Sequence, residues 1–274
     1  MPQLLALGLG PGMADDAAVL GPPSYSAEAA TLFARMTVQP PPARKTLIDN
    51  TIVGLKAAGF WTRLDALYMF AAHDGQAALL NWIANQYNAT SSGAAFTADA
   101  GYATDGAATY LDTNFNASTA SAPNYTQNSA MFGIRMNDVG QAGATGSIGG
   151  AYDGTNGSNL NPRNASNTLQ ARCNNNSSVA SVANTTTNGY FTGRRLAASG
   201  TNAIRFDREG ANLVTSNLAS TALPNLTFRV GGYSSANFRA GTFSSALLGQ
   251  GFSDADVASL ISILNANYFS PLGL

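Results

Sequence analysis

Ile204-Arg205-Phe206-Asp207-Arg208-Glu209-Gly210-Ala211-Asn212-Leu213-Val214 is the stretch that decides the fold class. Apolar and polar residues alternate through Phe206, as on a strand with one buried face. Arg208-Glu209-Gly210 follows as a tight turn, with Gly210 free to take the positive φ that such turns need. The chain then returns with Ala211, Leu213 and Val214. This is a hairpin, and it predicts an antiparallel sheet.

The same punctuation runs from residue 89 to residue 250. Short apolar or alternating runs are separated by clusters of Gly, Asn, Asp and Ser. Further strands are expected at 109–111, 130–136, 169–172, 178–182, 189–196, 203–207, 211–215, 226–231 and 238–247. Many short strands between turn residues read as an antiparallel β-sandwich, a jelly roll. The composition agrees. Asn, Ser and Thr number 26, 24 and 24 of 274 residues, and charged residues make up only 11%. Asn tolerates left-handed backbone and bonds its own main chain, so it accumulates in turns.

Helical periodicity flanks this region on both sides. Ser26 can cap a helix that runs through Met36, and Pro40-Pro41-Pro42 closes that segment and opens the next. Leu47, Ile48, Ile52 and Leu55 then follow helical spacing, with Gly59 as C′ residue. A further helical stretch is expected from Phe60 to Phe70, on Leu64, Leu67 and Tyr68, and Asp74 can cap a last one through Ile83. Trp61 and Trp82 are expected to anchor helix packing. Past the sandwich, Ser253 and Asp256 have capping-box spacing. The stripe Val257, Leu260, Ile261 and Leu264 predicts a helix over 253–268. The domain reading is therefore an extended N-terminal arm at 1–24, a helical attachment region at 25–88, and a β-sandwich at 89–274 that includes the closing helix.

Scarcity excludes several chemistries. The chain has one Cys (Cys173), one His (His73), two Glu (Glu28, Glu209) and two Lys (Lys45, Lys56). One Cys cannot form an intrachain disulfide, and one Cys with one His cannot make a Cys/His zinc site. A net charge of −1 opposes nucleic-acid binding, which rests on phosphate neutralisation. No apolar run reaches the length of about 18 residues that a membrane span needs. No basic residue precedes Arg35, so the apolar start lacks the positive region of a signal peptide. The chain reads as made in the cytoplasm, with an N-terminal arm whose Leu4, Leu5, Leu7 and Leu9 dock on a partner, because they are costly to leave in water.

Three local patterns resemble the concanavalin A-like lectin/glucanase sandwich in its laminin G-like branch. They are Gly106-Ala107-Ala108-Thr109-Tyr110-Leu111-Asp112-Thr113, the 204–214 hairpin, and the succession Leu226 to Gly232, Phe238 to Phe243, Phe252 to Val257. The whole chain is also similar to proteins of alphaproteobacterial phages and prophages. The runs Ala34-Arg35-Met36-Thr37-Val38-Gln39-Pro40, Leu64-Asp65-Ala66-Leu67-Tyr68 and Ala77-Ala78-Leu79-Leu80-Asn81-Trp82 carry that likeness. This resemblance implies a virion or tail-associated structural protein.

Candidate sites follow from both readings. Glycosidases of the resembled family carry an E-x-D-x-E strand, whose spacing of two puts both carboxylates on one sheet face. That motif is missing, so no catalytic residue is assigned and a non-enzymatic protein is expected. His73 beside Asp74 reads as a helix-end residue, and Cys173 as a small buried one with Arg172 on the opposite sheet face. Laminin G-like domains bind Ca²⁺ or sugar at one rim. The resemblance therefore points to Asp112, Asp138 and Asp153 as metal ligands. Aromatic residues on the sandwich loops, Tyr102, Tyr125, Tyr152 and Tyr233, are expected to stack on sugar rings. No other cofactor is expected.

The leading functional expectation is a phage virion protein, placed in a head decoration, head fibre, collar or tail fibre. It attaches to other virion proteins through its N-terminal region and is present in many copies or as a homo-oligomer. The alternative is a receptor-binding lectin module for host polysaccharide, and a glycoside hydrolase stands third.

Overall fold

The structure, a computed structural model, describes residues 24–137, 146–176, 179–233 and 237–274. The chain enters through two helices, α1 (Ala27–Ala34) and α2 (Pro42–Ala57). Ser26 caps α1 by accepting from the Ala29 amide, and Pro42 opens α2 at its first position. Gly59 takes φ +72 just past the end of α2, the left-handed stop expected of it.

The next stretch departs from expectation. Residues 61–63 form one 3₁₀ turn and β1 (Leu64–Tyr68) is a strand. Leu64, Leu67 and Tyr68 are all buried, and β1 pairs with a strand near the other end of the sequence. A strand buried on both faces shows no alternation, so its apolar residues imitate helical spacing. The helix capped by Asp74 is short, α3 (Gly75–Ala78), and Trp82 lies beyond it with its ring against Tyr268.

The strands then run in order: β2 (Thr90–Ser92), β3 (Ala95–Thr97), β4 (Gly101–Asp105), β5 (Tyr110–Asp112), β6 (Ala130–Met136), β7 (Gly149–Tyr152), β8 (Gly157–Asn161), β9 (Thr168–Asn175), β10 (Val179–Ala183), β11 (Gly189–Arg195), β12 (Ile204–Arg208), β13 (Ala211–Ser216), β14 (Arg229–Val230) and β15 (Ala240–Gly249). They form two antiparallel sheets among the described residues. Sheet A has eight strands, in the order β13-β12-β11-β6-β15-β4-β3 with β1 also on β15, and sheet B has seven, in the order β10-β9-β8-β7-β14-β5-β2. The fold is mainly β and fits an antiparallel sandwich, as the hairpin predicted. That hairpin pairs Arg208 with Ala211 around Glu209 and Gly210, both at positive φ.

The inner faces make the core. Phe132 and Ile134 of β6 point at sheet B, where Phe228 packs on Phe132 and Gly149 lies against Ile134. A Cβ on Gly149 would sit 2.3 Å from the Ile134 Cδ1 methyl, so glycine lets the sheets close here. Each buried Phe or Ile contributes about 1.5–3 kcal/mol.

The outer face of sheet A is covered as well. α4 (Asp254–Leu264) starts at the Ser253 cap and buries Val257, Leu260, Ile261 and Leu264, as the stripe required. A π-helical turn, Asn265–Phe269, carries the chain on and places Phe269 under the Arg135 guanidinium at 4.5 Å. Arg194 of β11, wholly buried, donates to Asp207 at 2.7 Å and to Asp254 at 2.8 Å. That pair ties the helix to the sheet. No helix among the described residues is long and apolar enough to cross a membrane.

Candidate functional site

The outer face of sheet B is built differently. Register aligns Asp112 of β5, Arg229 of β14, Gly150 of β7, Asn159 of β8 and Arg172 of β9 in one row across five strands. Alternation sends Leu111, Val230, Leu160 and Ala171 inward, all nearly inaccessible, and puts the row on the outer face, where Asp112, Arg229 and Arg172 are half-buried and Gly150 and Asn159 are buried.

Two aromatic groups flank the row. On one side, the Arg172 guanidinium lies 4.7 Å from the Tyr152 ring centre, and Tyr233 meets Tyr152 edge-on at 5.9 Å. On the other side, Arg229 lies 4.2 Å over Tyr110, and Phe238 stacks on Tyr110 at 6.0 Å. These rings and both guanidinium groups are half-buried. Cation–π contact holds each pair with one edge toward solvent. Burial pushes the Tyr233 phenol up, with Tyr152 adding to the rise and Arg172 opposing it, so Tyr233 is a neutral donor at ordinary pH. An open hollow of about 470 Å³, lined by Asp153, Thr155, Asn156, Asn225 and Leu226, adjoins Tyr152 at the β7–β8 turn.

The expected sugar-stacking residues divide. Tyr152 and Tyr233 come together on this face. Tyr102 and Tyr125 do not reach it. Tyr102 is a β4 residue whose hydroxyl donates to the Gly75 carbonyl at 3.0 Å. Tyr125 is wholly buried, with its hydroxyl 2.8 Å from Ser158 Oγ and 2.9 Å from Asn174 Oδ1. Both are core residues, which corrects their expected place on the sandwich loops. Tyr110, Phe238, Arg172, Arg229 and Asn159 were not singled out for this role. Their signal is the period of two, and only the strand register reveals which residues share a row.

The expected metal ligands do not form a site. Asp112 accepts from the Asn114 amide and from the Thr227 hydroxyl, and lies 3.5 Å from Arg229 Nε. Asp153 accepts from the amides of Thr155, Asn156 and Asn225. Partial burial alone would raise the Asp153 carboxyl, but these three donors outweigh it and hold it low. Both carboxylates are spent on loop bonds, which leaves them poorly placed for Ca²⁺. Asp138 lies outside the described residues, as do Leu4, Leu5, Leu7 and Leu9. Among the described residues no three Asp, Glu, His or Cys side chains cluster around a metal position.

The remaining candidates have structural partners. His73 Nε2 contacts the Val38 carbonyl at 2.9 Å, while Asp74 caps α3 through the Gln76 and Ala77 amides. Burial pushes the Cys173 thiol up to about 11, although Arg195 opposes the rise, so it is no nucleophile at neutral pH. A cleft of about 270 Å³ between α1 and Trp61, Trp82 and Asn85 lies at the helical end of the molecule.

No protein-family model matches the chain, and no curated protein matches it in sequence. Solved structures share its fold. The sialidase of Trypanosoma rangeli in complex with a difluoro-KDN superposes with TM-score 0.54 at 10% identity, over 82% of this chain and 40% of that one. The same sialidase in complex with difluorosialic acid gives 0.53 at 11%, over 82% and 39%. Domain 4 of a GH43 extracellular arabinanase from Geobacillus stearothermophilus, in complex with arabinotriose, gives 0.50 at 15%, over 73% and 98%. At these identities the likeness shows the fold, a β-sandwich found in chains of glycoside hydrolases. The present chain spans about two fifths of the length of those sialidases.

The expectation of a non-enzymatic protein is corrected by this finding, since the structures that share the fold come from a sialidase and an arabinanase. The exclusion had rested on a missing pair of glutamates. Sialidases use a tyrosine nucleophile, so that pair is not required of every glycosidase. The phage and lectin-family likenesses find no support in these comparisons.

Proposed function

We propose that this protein binds carbohydrate through the outer face of sheet B. The observation that carries the reading is the pair of Arg–Tyr stacks, Arg172 on Tyr152 and Arg229 on Tyr110, either side of one polar row. Sugar rings have apolar faces that lie on aromatic rings, and hydroxyls that pair with fixed polar groups. The Asn156 and Asn225 side chains at the adjoining hollow supply amides for those hydroxyls. The fold is also that of an arabinanase domain solved with arabinotriose.

A glycan array read with the intact chain and with Tyr152→Ala tests the proposal. Selective binding that the substitution abolishes is expected. An array with no binder, or binding indifferent to Tyr152, refutes it. Incubating any bound glycan with the protein and assaying reducing ends then shows whether binding leads to cleavage.

The phage-like runs within residues 25–88 suggest presentation on a virion, with the arm at 1–24 and many copies making weak contacts collectively strong. Particles assembled with a chain lacking residues 1–24 test it, and undiminished incorporation would exclude the arm as the attachment.

A further inference from the structure

We infer that the face of sheet B takes an internal stretch of an extended glycan chain rather than a single terminal sugar. This inference rests on the carbohydrate-binding reading above and adds the ligand's shape to it.

The two Arg–Tyr stacks lie at opposite corners of the face. Arg229 stands opposite both Asp112 and Gly150, so Tyr110 sits two residues to one side of the row and Tyr152 two residues to the other. Four residues along the strands amount to about 13 Å, and the two strand spacings from β5 to β7 to about 10 Å, which separates the stacks by about 16 Å. That distance exceeds any monosaccharide.

Each stack carries a further ring: Tyr233 packs on Tyr152, and Phe238 packs on Tyr110. The aromatic groups therefore form a band with one group at each end. Past the Tyr152 end, the β7–β8 turn borders the hollow of about 470 Å³. There the amide oxygens of Asn156 and Asn225 already accept from Thr221 and from Asn116 and Ser118. Their amide nitrogens are left to donate to a further sugar unit.

A pocket that closes around one sugar would bring its aromatic and polar groups to one point. Here they are strung along a line with an open end, the arrangement that gains from each added ring in contact.

Titration calorimetry of the full chain with arabino-, xylo- and gluco-oligosaccharides, from monosaccharide to hexasaccharide, tests the inference. In whichever series binds, affinity is expected to rise by about tenfold or more with length and then level off. Tyr110→Ala and Tyr152→Ala are each expected to weaken the longest ligand by about tenfold, while Tyr110→Phe and Tyr152→Phe keep its affinity because the ring remains. Cooperative melting within about 4 °C of the native chain will show that all four variants fold, and the Phe variants keep the test valid if an Ala variant does not.

A monosaccharide that binds as tightly as the hexasaccharide overturns the extended-chain inference and leaves carbohydrate binding standing. Loss of the long ligand in only one of the two Ala variants also overturns it. If no member of any series binds, the carbohydrate reading falls with it.

Discussion

Sheet A and sheet B have the same antiparallel construction and opposite surroundings. The middle of sheet A is covered on both faces. β6 and β11 are buried along their whole length, with sheet B on one side and α4 with the turn after it on the other. Sheet B is covered on its inner face, and its outer face shows half-buried rings and guanidinium groups. Burial forces Arg194 and Arg195 of sheet A to find anions or carbonyls inside the protein. Arg194 is satisfied by Asp207 and Asp254, and Arg195 by the carbonyls of Cys173, Ala197, Ala198 and Leu218. The arginines of sheet B lie against aromatic rings at the surface instead. One sheet uses its polar residues for cohesion, and the other presents them.

The largest expected effect tests this contrast directly. Asp207→Ala leaves the buried Arg194 charge short of its main partner and is expected to cost about 3–5 kcal/mol in chemical denaturation. Asp112→Ala on sheet B, beside the partly exposed Arg229, is expected to cost about 1 kcal/mol or less. Equal losses would break the distinction between the sheets.

Next in size is Gly149→Val, which puts a side chain between the sheets where Ile134 and the Arg229 carbonyl leave no room. A loss of about 1–3 kcal/mol is expected, read from the urea midpoint. No loss would mean that the sheets are free to separate at this point.

Tyr152→Ala is expected to lower stability by about 1 kcal/mol, because its ring is partly exposed and held by surface contacts. Glycan binding should disappear in the same variant. A large drop in melting midpoint would instead place Tyr152 among the cohesive residues and weaken the contrast.

The smallest effect concerns Asp105, at the end of β4. Its exposed carboxylate accepts from the amides of Ala108, Ala107 and Thr109, and these bonds hold it well below the usual carboxylate range. A depressed pKa contributes stability that is present above the unfolded value of about 3.9 and fades as pH falls through the lower folded value. The melting gap between the native chain and Asp105→Ala is therefore expected to be steady near neutrality and to narrow below about pH 4. A gap that widens in acid would reverse the assigned sign.

How much could be read in advance varied by element. The strand at Ala130–Met136 and the hairpin around Gly210 are legible because local pattern and turn chemistry agree. β1 is not, because what makes it a strand is Leu247 and Ala246 of β15, far away in sequence. β7 and β8, Gly149–Tyr152 and Gly157–Asn161, are hidden by a composition of Gly, Ser and Asn that elsewhere signals turns. The candidate face was half legible. Tyr152 and Tyr233 stood out as aromatic residues in a polar region, and Tyr102 and Tyr125 stood out equally, although both belong to the core.

Local chemistry written in the residues was enough for the caps at Ser26, Asp74 and Ser253, the left-handed glycines at 59 and 210, and the β class itself. These depend on neighbours within a few positions. Which side chains face outward together was settled by strand register. Arg172 and Arg229 share a row because β9, β8, β7 and β14 align across the sheet, and a slip of one residue would turn each strand's side chains to the other face. That alignment is the sum of many distant contacts, so the face came into view only in three dimensions.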